Sequence, residues 1–223
     1  MLALNGFRET ERKFHGHAFG QYQNIYDTIS KRIFDLVVAG LVAILVLSWL
    51  LPLVGLLIRL TSRGPILFLQ RRTGINGKPF LCFKFRTMVH NSQHEPFKQT
   101  AFNDSRVTAI GHWLRKTNID EFPQFINVLK GDMSIVGPRP HALQHDAEYW
   151  DALPNYPKRY TTLPGITGLA QVSGARGIAD DISNMEKRLS YDLIYIQHNS
   201  LSYDAKICWW ILKSMVLGDP NAW

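Results

Sequence analysis

Two acids stand side by side at Asp120-Glu121, two residues before Pro123, and an arginine follows in the run Gly137-Pro138-Arg139-Pro140. One carboxylate of such a pair can attack phosphorus while its neighbour holds a metal ion. A helix start suits that use, because its dipole favours anions and keeps a carboxylate ionised. Acids at a helix start are also ordinary capping residues, so the pair by itself leaves both readings open. Arg115 upstream and Arg139 downstream weigh towards the chemical reading. Pro138 and Pro140 stiffen the loop that presents Arg139, whose planar guanidinium suits bidentate contact with phosphate oxygens; a structural turn with a solvated arginine is the plain alternative.

A second set of charges lies in Lys84-Phe85-Arg86-Thr87-Met88. Lys84 and Arg86 alternate with Phe83 and Phe85, so on a strand both charges share one face, able to bind a diphosphate or lipid headgroups. His141 and His145 are four apart, but no third ligand completes a metal set, and they are expected at the surface without a role. The phosphate-cradling Gly-x-x-x-x-Gly-Lys loop, the dinucleotide glycine fingerprint, His-Glu-x-x-His and Asp-x-Asp are all missing from the sequence. Cys82 and Cys208 make neither a disulfide framework nor a zinc set, and their apolar surroundings suit buried free thiols facing a reducing compartment.

These side chains need elements to hold them. Asn118 or Asp120 can cap a helix that runs to Lys130 and stops at Gly131, with Pro123 in or near its first turn. Ile66 to Gln70 and Phe80 to Phe85 are strand-like runs joined through Asn76-Gly77, a pair suited to positive φ, which predicts a basic β-hairpin. Five prolines from Pro138 to Pro164, then the glycines of Gly165 to Gly177, predict two irregular stretches. Met185, Leu189, Leu193 and Ile196, then Ile207, Trp210, Ile211 and Met215, recur at near-helical spacing and predict two terminal helices. Lys206, Lys213 and the tryptophans of the last helix suit a membrane interface as well as a core.

The chain has 223 residues, enough for one cored domain with an appendage; 46% are apolar and only 19% charged, which excludes intrinsic disorder. The formal charge of +7 implies an anionic partner: nucleic acid, a membrane surface or a phosphorylated substrate. The missing charge is concentrated at Leu36 to Ile58, 23 residues without a charged side chain. As a straight helix this run reaches about 34 Å, against roughly 30 Å of hydrocarbon. It is too long and too far from the start for a cleaved signal. Lys31 and Arg32 precede it, and Arg59, Arg63, Arg71, Arg72, Lys78, Lys84 and Arg86 follow with no acid between Arg59 and Met88. Both ends are therefore cytoplasmic by the positive-inside bias, and the segment must turn back within the bilayer. Pro52 offers the bend, since it clashes with the carbonyl of Ser48 at about 3 kcal/mol, and the Ser48 hydroxyl can re-satisfy freed backbone groups. A kinked spanning helix is the alternative.

Lys31-Arg32-Ile33-Phe34-Asp35, Lys84 to Met88, Asp120-Glu121-Phe122-Pro123-Gln124, Asn127 to Ser134, Val136 to Pro140 and Pro164 to Val172 together resemble the bacterial sugar transferases, the monotopic polyprenyl-phosphate phosphoglycosyl transferases. The resemblance covers roughly residues 30 to 223 in order. It implies an enzyme in which Asp120 attacks the sugar-linked phosphoryl group of a nucleoside-diphosphate sugar, a UDP-sugar by expectation, and passes the phosphosugar to polyprenyl (undecaprenyl) phosphate. By the same resemblance Glu121 coordinates Mg²⁺, Arg139 contacts substrate phosphate, and Lys84, Arg86 and Arg115 shape the polyanion site. The product would start a lipid-linked glycan such as an exopolysaccharide or lipopolysaccharide.

The expected fold is α+β and mainly helical: an N-terminal extension (1–30), a re-entrant membrane helix-break-helix (31–60) and a cytosolic catalytic domain (61–223), in which the basic β-hairpin and surface helices surround a membrane-proximal active site. The expected location is the bacterial inner (cytoplasmic) membrane, monotopic, with the catalytic domain on the cytoplasmic face and membrane lipids as partners. Homodimerisation is left open. The family commonly has adjacent Ser-Pro at its membrane bend, whereas Ser48 here is followed by Trp49 and the proline comes at 52; its Gln-Val-Asn-Gly reads Gln171-Val172-Ser173-Gly174. About 30 residues precede the unit, as in minimal catalytic members. Two other readings compete: a non-enzymatic membrane adaptor, indifferent to Asp120, and a nucleic-acid binder, for which no motif is found, so no nucleic-acid partner is expected.

Overall fold

The computed structural model of the chain describes residues 25–89, 104–175 and 181–217. The expected N-terminal extension lies largely outside them. The described chain is mainly helical with four short strands. It begins with α1 (Ile25–Val42), a π-helical turn (Ala43–Leu47) and α2 (Ser48–Thr61) in continuous helical succession. Ile29–Thr61 is the one helix among the described residues long and apolar enough to cross a membrane, and only 28% of its most apolar stretch is buried. Leu41, Ile44, Leu45, Trp49 and Leu53 all stand exposed along it.

The interruption expected at Pro52 takes another form. Pro52 lies inside α2, the backbone stays helical past it, and the irregularity is the π turn just upstream. In an apolar medium a coil break would strand backbone groups, whereas a π turn widens the helix and keeps them paired. The Ser48 hydroxyl donates to the Ile44 carbonyl at 2.7 Å and the Trp49 indole to Leu45 at 2.8 Å.

Both ends of this long helix are fastened to the rest of the molecule. Near the start, Lys31 Nζ donates to the Val136 carbonyl (2.9 Å) and the Tyr195 hydroxyl (3.0 Å), and pairs with buried Asp204. Arg32 donates to the carbonyls of Val128 (2.7 Å) and Leu129 (3.1 Å), near the C-terminal end of α4 (Gln124–Lys130), where a cation also meets the helix dipole favourably. Asp35 accepts from the Ser134 hydroxyl and the Ile135 amide. Beyond the far end, the Arg86 guanidinium holds the Ser62 and Arg63 carbonyls at 2.8 and 2.9 Å.

A hairpin forms, its first strand running three residues past the expected Gln70: β1 (Leu67–Thr73) pairs antiparallel with β2 (Pro79–Phe85), from Leu67 opposite Phe85 to Thr73 opposite Pro79. At the turn Asn76 (φ 53°) and Gly77 (φ 71°) take the left-handed conformation their types permit. After α3 (Ala109–Lys116), a 3₁₀ turn (Ile119–Glu121) leads to α4, which ends on Gly131 at φ 89°. No side-chain cap from Asn118 or Asp120 closes the start of either helical piece, so the acids sit in a separate turn ahead of the helix rather than in its first turn. The second sheet is a parallel pair, β3 (Ser134–Val136) beside β4 (Gly165–Thr167). Around it lie α5 (Leu143–Tyr149), a 3₁₀ stretch (Tyr156–Thr161), α6 (Leu169–Val172) and the two expected terminal helices, α7 (Ile182–His198) and α8 (Leu201–Leu217).

Three apolar clusters hold these pieces. Ala39, Val128, Met133, Val136, Tyr195 and Ile207 join α1 to the second sheet and α8. Leu50, Val54 and Ile58 of α2 pack with Phe85 and Leu114. An aromatic cluster of Tyr149, Trp150, Tyr156 and Tyr160 packs with Met185 and Leu189 of α7. Cys82 is buried in the first cluster and Cys208 packs on it partly exposed, both as free thiols.

Candidate active site

The turn that carries the acids is set by Asn118, which takes φ 56° and reverses the chain after α3. Asn tolerates that conformation better than other side chains with a Cβ. Phe122 and Ile119 then pack beside Phe85 and Leu114 and press the turn against the end of β2. Asp120 is thereby 9% exposed. Burial raises its carboxyl to about 6, with Lys84, Arg115 and Arg139 opposing and Glu121 reinforcing that rise. Among the described residues no hydrogen bond reaches the Asp120 oxygens, so their lone pairs are available to an electrophile.

Glu121 is the opposite case. Arg139 grips it through both terminal nitrogens, Nη1 on Oε2 at 2.9 Å and Nη2 on Oε1, and Lys84 Nζ lies 2.6 Å from Oε1. Burial pushes its carboxyl up, but the two cations outweigh burial and hold it well below the usual range. Burial pushes the Lys84 ammonium down in turn, Glu121 only partly offsetting it. Arg115, on α3, donates from Nε to the Thr87 hydroxyl at 2.9 Å and is electrostatically coupled to Asp120. Lys84, Arg115 and Arg139, distant in sequence, thus converge on the acidic pair.

The loop that presents Arg139 is tied at four successive carbonyls. Pro138 O accepts from the Gly165 amide (3.0 Å), Arg139 O from Arg159 Nη2 (2.9 Å), Pro140 O from Arg72 Nη1 (2.7 Å) and His141 O from the Thr73 amide (3.2 Å). Its base allows no side chain at Gly137, where a Cβ would lie 2.4 Å from the Leu163 carbonyl oxygen. Pro138 and Pro140 therefore act within a loop fixed by its neighbours as well as by their rings.

Arg86 is placed apart from the acids. β2 ends at Phe85, and the Arg86 side chain turns to the chain leaving the apolar helix, where it is 4% exposed. Ser48 and Pro52 lie in the helix itself. His141 and His145 are buried rather than at the surface: their rings meet edge to face beneath the Arg139 loop, and burial, with Arg159, holds His141 well below its usual range and so neutral. The layer below the loop was not visible in the sequence. Arg159, fully enclosed, donates to Tyr156 (3.0 Å) besides the Arg139 carbonyl and forms an ion pair with Asp192 (2.8 Å), while Asp146 accepts from Tyr156 and Tyr160. Its sequence cue, an arginine between two tyrosines at 156 and 160, reads equally as surface.

Among the described residues no three His, Cys, Asp or Glu side chains gather as a ready metal cage. Mg²⁺ needs less, since one or two carboxylates suffice when substrate phosphates complete its oxygen shell. Asp120 and Glu121 fit that sparse donor set, provided that a Glu121 oxygen is released by Arg139 or Lys84.

Residues 26–218 match the family described as Bacterial sugar transferase. The chain is 45% identical over 184 residues to a UDP-glucose:undecaprenyl-phosphate glucose-1-phosphate transferase of Klebsiella pneumoniae, covering 82% of this chain and 39% of that one. It is also 45% identical over 191 residues to a protein of the same name from Caulobacter vibrioides, covering 86% and 71%. To the exopolysaccharide production protein PSS of Rhizobium leguminosarum bv. phaseoli it is 44% identical, covering 81% and 92%. The chain thus spans about two fifths of the Klebsiella and Escherichia coli relatives, which match at 39% and 41% of their lengths.

Proposed function

The chain belongs to the bacterial sugar transferase family, and from that premise we propose that it moves a sugar-1-phosphate from a UDP-sugar to undecaprenyl phosphate, initiating a lipid-linked glycan. The observation that carries this reading is the Asp120 carboxylate, buried, without a hydrogen-bond partner among the described residues, and surrounded by Lys84, Arg115 and Arg139. UDP-glucose is the first donor to test, because relatives at 45% identity carry it in their names.

In the first step an Asp120 oxygen attacks the sugar-linked phosphorus, the bond to the bridging oxygen breaks, and UMP leaves with that oxygen. A phosphosugar-aspartate remains. In the second step an oxygen of undecaprenyl phosphate attacks the same phosphorus, the bond to Asp120 breaks, and the carboxylate is restored. Charge spreads over the phosphoryl oxygens in both steps, so fixed cations lower both barriers. Arg139 offers a planar fork, and Lys84 and Arg115 add charge. Mg²⁺, when bound, neutralises diphosphate charge, and Glu121 is the residue that would hold it. Substrate phosphate is then the natural new partner for the Arg139 fork. Arg86 contributes through the membrane helix it secures and not through phosphate contact.

The helix of Ile29–Thr61 anchors the enzyme in the bacterial inner membrane and enters and leaves on the cytoplasmic face. Lys31 and Arg32 in its first turns, and Ser62 and Arg63 after it, all bond to the same soluble unit, which supports a re-entrant course with Ser48, Pro52 and the π turn near its apex. The soluble unit that begins after residue 60 is the catalytic domain.

UMP release from UDP-glucose by protein in lipid nanodiscs, with and without undecaprenyl phosphate, tests the reaction. Release is expected from the wild type, with a stoichiometric burst in the absence of acceptor, and none from Asp120→Asn. Turnover by Asp120→Asn would sink the assignment.

A further inference from the structure

Phe68 stands directly opposite Lys84 in the hairpin register, so the two side chains project from the same face of the sheet. That face is the one from which Lys84 reaches Glu121 and Arg72 reaches the Arg139 loop. Phe68 is nevertheless 49% exposed, a large apolar ring left open beside the partly buried Lys84 cation. Its end of the hairpin is also the end next to the apolar helix: Ile66, Leu67 and Phe85 pack with Leu50, Val54 and Ile58, and a Cβ on Gly55 would touch Ile66 at 3.0 Å. An exposed aromatic ring therefore stands beside Lys84 at the end of the hairpin that adjoins the apolar helix, the helix itself packing on Leu67 and Phe85 of the opposite face.

We propose that Phe68 is the contact for the first isoprene units of the acceptor lipid, holding the prenyl chain so that its phosphate falls among Lys84, Arg115 and Asp120. This inference rests on the transferase reading above. An isoprenyl phosphate is an anion joined to an apolar chain, and Lys84 beside Phe68 is its complement in both charge and polarity. The chain must also arrive from the bilayer, and Phe68 lies at the end of the hairpin that adjoins the apolar helix. A nucleobase stacked on the ring is the competing occupant.

A ping-pong reaction separates the two. Phe68→Ala is expected to leave the UMP burst and the KM for UDP-sugar unchanged and to raise the KM for undecaprenyl phosphate about tenfold, with Phe68→Leu recovering most of the loss. Leu69→Ala is the control, because Leu69 is equally exposed, at 50%, but projects from the opposite face; it should change neither constant. Equal losses in both variants would mean general membrane contact and overturn the proposal. A raised donor KM with unchanged acceptor KM would assign the ring to the nucleobase and overturn it as well. A photoreactive prenyl phosphate with two isoprene units, bound to Asp120→Asn protein, gives a readout without turnover. Labelling near residue 68 that undecaprenyl phosphate suppresses supports the contact even should UDP-glucose prove to be the wrong donor, and labelling confined to other segments overturns it.

Discussion

At the residue scale the acidic pair divides its work by environment. Asp120 is raised to about 6 by burial and Glu121 is held well below the usual range by its two cations, although the two are neighbours in the chain. In the proposed reaction Asp120 attacks as the carboxylate, so the rate of the UMP burst should climb as pH rises through about 6 and then level. Lys84, pushed down by burial, should start the alkaline decline below the range of an ordinary lysine. Stopped-flow UMP release across pH checks both limbs. The same shift bears on stability. A raised carboxyl loses stability as pH climbs from its unfolded value, near 3.8, through about 6, and the loss persists above. Asp120→Asn, which mimics the protonated form, should therefore be more stable than the wild type at pH 7.5 by about 1 to 3 kcal/mol, with the gap closing towards pH 4. Thermal melts at the two pH values, in the same detergent, test the sign. Arg139→Lys keeps a charge but loses the fork, and should slow the burst by about 10- to 100-fold.

At the element scale the site depends on a loop whose backbone is held from four directions. Gly137 is the tightest point, since a Cβ there would meet the Leu163 carbonyl oxygen and the Gly165 amide at 2.4 and 2.9 Å. Both obstacles are backbone, so Gly137→Ala should force β3 away from β4 and destabilise the protein by roughly 2 kcal/mol or more. Arg159 is the deepest point. Arg159→Met would leave Asp192 as a buried carboxylate without its 2.8 Å partner and free the Arg139 carbonyl. The expected loss is about 3 to 5 kcal/mol, measured by thermal or proteolytic stability, with a fall in activity even where folded protein is recovered. The hairpin turn, the Gly131 helix stop and the two terminal helices were legible because each depends on local backbone preference or apolar spacing. The π turn was not, because its place depends on how the whole apolar helix is seated.

At the scale of the whole molecule, the part of the chain after the apolar helix is pinned to both ends of that helix. Ser30→Cys and Arg63→Cys report on its two ends, and both positions are exposed. A membrane-impermeant thiol reagent should label both from the cytoplasmic side in inside-out vesicles and neither in right-side-out vesicles. Labelling of one end from each side would establish a spanning helix instead. The reason to expect a common side is mechanical as well as electrostatic: Arg32 grips the end of α4 and Arg86 grips the chain after α2, so separating the two ends across a bilayer would break both sets of bonds.

The amino-acid sequence alone determined the long uncharged segment, the helical and hairpin elements, the acidic pair and the family that its ordered motifs resemble, because these depend on residue type and short-range spacing. Tertiary structure decided which charges meet. Lys84 and Arg139, 37 and 18 residues from Glu121, close on one carboxylate, while Arg86, two residues beyond Lys84, serves the helix end because β2 stops at Phe85. His141 and His145, expected at the surface, are buried under the Arg139 loop, and Arg159 lies among them as the tie that no local pattern marked. Burial and long-range pairing arise only when distant segments pack, and those two effects give Asp120 and Glu121 their opposite characters.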